Sequence, residues 1–116
     1  MAVDKNYTKI YNLQVDLAEV RFLMKIATQR LDTSVFIVTS YYVKVSDNAD
    51  DDFTAVCSFN SCPQLFTVSD DRSNPNAVTT TDFDWPIAAR FVRLNPQSWI
   101  SAIGLRWELY GCDSLV

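Results

Sequence analysis

From Ile103 to Tyr110 the chain alternates without interruption. Ile103, Leu105, Trp107 and Leu109 point one way, and Gly104, Arg106, Glu108 and Tyr110 the other. Successive side chains of extended backbone leave on opposite faces, so such a run buries its apolar set only as one strand of a sheet. The same period recurs upstream. Leu13, Val15 and Leu17 share a face opposite Gln14 and Asp16, and Tyr41, Val43 and Val45 alternate with Tyr42, Lys44 and Ser46. Helical periodicity is weak throughout. Residues 21–27 (RFLMKIA) are more continuously apolar, which predicts a strand buried on both faces. Residues 53–59 (FTAVCSF) and 65–68 (LFTV) are shorter candidate strands, the second followed by the turn-rich 69–76 (SDDRSNPN). RFVRL, 90–94, reads as a strand stopped by Asn95 and Pro96. Short strands between polar turns, with no helix of useful length, predict an all-β sandwich or barrel.

Residues 1–116 form one domain, with no internal repeat, low-complexity segment or linker. A chain of this length buries roughly two-thirds of its unfolded surface in a single core. Aromatic residues make up 13% of it, and together with Val, Ile and Thr they suit pleated sheet.

Histidine is absent, which removes the commonest general base and the commonest metal ligand together. A net charge of −4 with ten scattered Lys and Arg leaves no electrostatic footprint for nucleic acid. More weakly, it argues against an anionic membrane surface. No apolar run approaches the roughly 20 residues of a membrane helix. The opening MAVDKNYTKIYN has no apolar signal-peptide core, so secretion would require a signal upstream of it.

Few residues invite chemistry. No GxSxG is present and a Cys–His pair is impossible, so the chain reads as no enzyme. Cys57 and Cys62 span a loop short enough for a disulfide, the alternative being two reduced, half-buried thiols. Three sulfurs without histidine make a poor metal set, so no metal or other cofactor is expected there. Asp47, Asp50, Asp51 and Asp52 offer hard oxygens to calcium, but their spacing fits no EF-hand loop and solvated charge is the plainer reading. Asp16, on the polar face of its strand, is expected to pair with an arginine of the last strand as a half-buried ion pair. Asn6-Tyr7-Thr8 has the pattern of a glycosylation acceptor, meaningful only in a secreted chain.

Residues 89–99 (ARFVRLNPQSW) and 103–112 (IGLRWELYGC) resemble the closing signature of the discoidin domain, also called the coagulation factor V/VIII type C domain. LQVDL, IATQR, the hairpin VTSYYVKVSDNADDDFTAV (with Phe53 where the family usually has Trp) and LFT resemble the family in matching order. The resemblance covers residues 11 to 112. It implies an eight-stranded jelly-roll β-sandwich of the galactose-binding-domain-like kind, whose loops at one end bind ligand. Such domains are usually extracellular adhesion or recognition modules that take glycans, anionic phospholipid, collagen or other proteins, and they are not enzymes.

The resemblance places residues 30–36 at the family's binding loop. Leu31, Val35 and Phe36 then form an apolar tip, with Arg30 and Asp32 beside them. Exposed aromatics stack on sugar rings or wedge into lipid, because both offer an apolar face beside polar groups. The plainer alternative is that Val35 and Phe36 begin the next strand. Trp99 and Trp107 match positions that pack in or against the core, while Trp85 is less typical, with packing the plainer reading and partial exposure at a surface the alternative. The family's first strands, with one binding loop and a cysteine, are replaced here by a dozen residues without cysteine. Cys112 therefore looks like half of a staple, unpaired or bonded to another chain. Ala18, Val68 and the Ala49–Asp50 turn stand where the family usually has Gly. A turn among them that needs positive φ costs on the order of 1 kcal/mol.

The expected function is extracellular glycan or glycoprotein recognition at the loop end. Anionic phospholipid is the second candidate. The third is structural, in which an exposed sheet edge pairs with another chain and the domain self-associates.

Overall fold

The computed structural model describes residues 2–8, 13–29, 37–68, 78–100 and 104–112, with side chains for 13–29, 38–68, 78–99 and 106–111. The strands are β1 (Ala2–Thr8), β2 (Leu13–Gln29), β3 (Ile37–Ser46), β4 (Thr54–Ala55), β5 (Phe66–Thr67), β6 (Val78–Ile100) and β7 (Gly104–Cys112). All pair antiparallel in the order β1-β7-β2-β6-β3-β4, and β5 also pairs with β3. The class is all-β, as the alternation predicts.

Strand lengths differ from expectation. β2 has 17 residues and β6 has 23, so the fold is organised by two long ribbons rather than by many short strands. Each ribbon bends and serves two halves of the sheet. Leu13–Asp16 pair with β6 at Phe91–Leu94, and after the bend Arg21–Gln29 pair with β6 at Val78–Ala89. Residues 22–29 also pair with β7 on their other edge. One half is therefore β1, β7, the end of β2 and the start of β6. The other is the start of β2, the end of β6, β3 and the short β4 and β5. Bulges turn a strand from one layer into the next in this way.

The bend has a local cause. Residues 17–20 of β2 stand against Arg90 alone, and Ala18 adopts φ 73°. Ala18 is thus one expected glycine site where the left-handed conformation is real. Val68, Ala49 and Asp50 do not share it. The Asp16 carboxylate holds the turn, accepting the Ala18 N–H at 2.8 Å and Arg90 Nε and Nη2 at 2.8 and 3.0 Å. The partner of Asp16 is therefore Arg90 of β6, not an arginine of the last strand. The register explains this, since β7 meets β2 only from Phe22 onward. The pair is exposed, at 46% and 41% for the two side chains, rather than half buried among apolar groups.

Both halves face one core. Leu13, Val15 and Leu17 meet Leu23 and Ile26 of the same strand, together with Val38, Tyr41, Val43, Phe66, Val92, Leu94, Trp107 and Leu109. Tyr41 stacks on Phe66 with ring centroids 5.2 Å apart, and Phe66 meets Phe83 edge to face at 5.9 Å.

Several expected boundaries move. Asn95 and Pro96 do not stop the strand, since β6 runs on to Ile100. Opposed irregularities absorb the proline, Thr39 being extra on β3 and Gln97 extra on β6. Proline is tolerated at such bulges because a ladder hydrogen bond is already missing. Of 53–59 only Thr54–Ala55 is strand. Residues 21–27 are not buried on both faces, since Met24 is exposed where β2 bulges between Leu23 and Lys25. β1 lies along β7 from Ala2↔Tyr110 to Thr8↔Gly104, so residues 2–8 form the strand beside β7.

Candidate ligand-binding end

The loop end is built by the strands that enter and leave residues 30–36. β2 delivers the chain at Gln29, opposite Val78 of β6 and Arg106 of β7, and β3 receives it at Ile37, opposite Ile100. Gln29 and Ile37 lie on different halves of the sheet. Arg30, Leu31, Asp32, Val35 and Phe36 lie outside the described residues, and what the structure gives is the two feet of their loop.

At the first foot is a cavity of about 170 Å³, lined by Ala27, Thr28, Gln29, Val78, Arg106, Trp107 and Glu108. Thr28 and Trp107 face each other in register, and they are 1% and 2% exposed. Thr28 Oγ1 and Trp107 Nε1 are buried without a well-formed hydrogen bond. Buried polar groups left this way cost roughly 1–3 kcal/mol each, so they mark a place where a polar partner is favoured. Thr28 lies beside the phenol of Tyr41. Burial pushes the Tyr41 hydroxyl well above its ordinary value, and the neighbouring Thr28 hydroxyl offsets this in part. Tyr41 is a neutral phenol at any ordinary pH.

At the second foot, Ser98 Oγ lies 2.6 Å from Thr39 Oγ1 and 2.5 Å from Ser40 Oγ, a row of hydroxyls at the bulged start of β3. Trp99, opposite Val38, is 39% exposed rather than packed in the core. Trp107 is packed as expected. Thr28, Gln29 and Trp99 escape sequence reasoning as site residues. Alternation assigns Trp107 inward but cannot reveal that its N–H lacks an acceptor.

The other predicted residues lie elsewhere. Cys57 and Cys62 are bonded. The backbone of Cys112 pairs with Phe22 at the end of β7. Asp47, Asp50, Asp51 and Asp52 are exposed in the β3–β4 hairpin, where Asn48 organises the turn by accepting the Asp50 and Asp51 N–H groups at 3.0 and 3.2 Å. Among the described residues no group of three or more acidic or cysteine side chains is placed to hold a metal ion. Arg93 stacks over Phe53, its guanidinium 3.7 Å from the ring centroid, and donates to Gln14 at 2.7 Å.

Residues 2–109 match the F5/8 type C domain. The chain belongs to that family. The match reaches further toward the start than the resemblance over residues 11 to 112, because it takes in the strand on β7. The F5/8 type C relatives include neurexin-4 of Drosophila melanogaster, 39% identical over 87% of this chain and 8% of that protein. Neuropilin-1 of Gallus gallus is 36% identical over 86% of this chain and 11% of that protein. The chain thus spans about a tenth of the length of these curated relatives. Among solved structures, discoidin II of Dictyostelium discoideum superposes with a TM-score of 0.76 at 22% identity, over 96% of this chain and 43% of that one. CBM32-1 from a family 31 glycoside hydrolase of Clostridium perfringens superposes at 0.61 with 14% identity, over 94% of this chain and 75% of that one. The F5/8 type C domain described here is accordingly a discoidin-like jelly-roll β-sandwich.

Proposed function

We propose that this F5/8 type C domain is an extracellular recognition module, not an enzyme, and that it binds glycans at its loop end. The cavity at the foot of residues 30–36 carries the reading, with a buried indole N–H on Trp107 that lacks an acceptor and a buried Thr28 hydroxyl held beside the Tyr41 phenol. A sugar hydroxyl accepts as well as donates, so one such group answers that N–H. Exposed Trp99 offers a face for the ring at the other foot. Phe36 is the expected stacking residue and Arg30 the expected donor, with Leu31, Asp32 and Val35 as further expected contacts. Acidic net charge and the small cavity favour a neutral saccharide over anionic phospholipid.

The test is a glycan-array screen of cooperatively folded protein, repeated on Phe36→Ala, Trp99→Ala and Thr28→Ala. One saccharide class should bind the parent, and each substitution should weaken it by about tenfold or more. Absence of saccharide binding, with binding to phosphatidylserine vesicles instead, would replace this reading with the membrane one.

A further inference from the structure

A second surface lies away from the loop end, along the edge where β4 approaches the middle of β6. Residues 83–86 of β6 stand against Met24 alone, between the pairs Lys25↔Asp82 and Leu23↔Ile87. This bulge keeps Phe83 in the core while Asp84, Trp85 and Pro86 are exposed. Trp85 is 38% exposed and meets Phe59, 77% exposed, with ring centroids 5.0 Å apart and planes tilted by 60°. Solvent-exposed aromatics in contact are unusual unless something covers them.

The pair is held rather than loosely placed. Phe59 lies within the loop closed by the Cys57–Cys62 disulfide, its N–H donates to Asp84 Oδ2 at 2.8 Å, and Ser58 binds back to Ser61. Beside it opens a cleft of about 360 Å³, walled by Thr54, Ala55 and Cys57 on one side and Trp85, Pro86 and Ala88 on the other. Its apolar floor is Val45, Val56 and Ile87, which belong to the core or pack on it.

Charge selects the occupant. Asp82 and Asp84 flank the bulge, and Asp50, Asp51 and Asp52 precede the β4 wall. Among the described residues none of these carboxylates is paired with a cation. An aromatic face attracts a cation placed over it, and the carboxylates add to that field, although Lys25 stands opposite Asp82 in the ladder. The same field repels an anionic membrane or acidic protein. We propose that this cleft docks a basic segment of a partner protein. Its Arg or Lys lies over Trp85 and Phe59 against Asp82 and Asp84, and a neighbouring apolar side chain enters the cleft. Pre-organisation by the disulfide and by the Asp84 bond lowers the cost of ordering the surface on binding.

The probe is an acetylated, amidated peptide of alternating Arg and Leu, titrated calorimetrically into the whole chain. Peptides with Glu or citrulline for Arg serve as comparisons. Arg–Leu should bind, citrulline–Leu should bind several-fold more weakly, and Glu–Leu should not bind. Affinity should fall as salt rises from about 0.05 to about 0.5 M. Trp85→Ala and Phe59→Ala should each cost about tenfold, and Asp82→Asn about threefold. Trp85→Phe keeps a ring and should retain part of the affinity in a fold that is barely altered. Thr28→Ala, at the loop end, should leave peptide binding unchanged, which separates this proposal from the glycan reading. The proposal is overturned by a folded chain that ignores the Arg peptide or takes the Glu peptide equally. Undiminished binding by Trp85→Ala overturns it too. So does a Trp85-dependent affinity for saccharide or phosphatidylserine vesicles in place of peptide.

Discussion

Ala18 carries a conformation that its side chain disfavours. At φ 73° an L-residue with a Cβ is strained, and glycine is not. Ala18→Gly relieves that strain while giving the unfolded chain more freedom, so the net gain should be at most about 1 kcal/mol, seen as a small rise in the urea midpoint. Asp16 beside it sets an acid dependence. The Arg90 guanidinium first, and then the Ala18 N–H, hold its carboxyl below the ordinary 3.8. A depressed folded pKa means stability that is complete above the unfolded value, near pH 4, and lost as pH falls through the folded one. Asp16→Asn should therefore flatten the pH dependence of the urea midpoint below about pH 4 and leave its slope near neutrality unchanged. Gly111 is constrained differently. A Cβ there would overlap the carbonyl of Phe22 across the β2–β7 ladder, where backbone cannot give way easily. Gly111→Ala should cost about 1–3 kcal/mol by chemical denaturation.

The disulfide acts on one element, the loop between β4 and β5. It closes only the short segment Cys57–Cys62, so the unfolded chain loses little freedom by it. The paired change Cys57→Ser and Cys62→Ser should lower stability by about 2 kcal/mol or less. It should weaken the Arg–Leu peptide more than any saccharide at the loop end, because Phe59 loses its frame. Calorimetry on both ligands reads the two effects separately. β2 and β6 show how an element exceeds its sequence signal. Their bulges at 17–20 and 83–86 interrupt the period-two pattern, so β2 reads locally as two strands and β6 only as the strand at 90–94.

Across the whole molecule, the buried indole of Trp107 links core to site. It is among the largest fully buried side chains, the residue lines the loop-end cavity, and its N–H has no acceptor. Trp107→Phe should reduce saccharide affinity about tenfold while keeping a cooperative melt, because the ring remains and only the donor is lost. Trp107→Ala should instead destabilise the domain by about 3–5 kcal/mol. Comparing the two by melting and by glycan binding separates the donor from the packing.

The sequence determined the all-β class and the inward faces of β2, β3 and β7. Alternation is a local property, and each apolar set has only one face to bury. The closing RFVRL and LRWELYGC stretches also made the family resemblance legible. What only the tertiary structure decided lies where distant segments meet. Arg90 rather than an arginine of β7 reaches Asp16 because register, not proximity to the chain end, sets cross-strand partners. The orphaned N–H of Trp107 and the Phe59–Trp85 pair likewise depend on the fold. Each joins residues far apart in sequence, and no local pattern states which groups a folded sheet will leave without a partner.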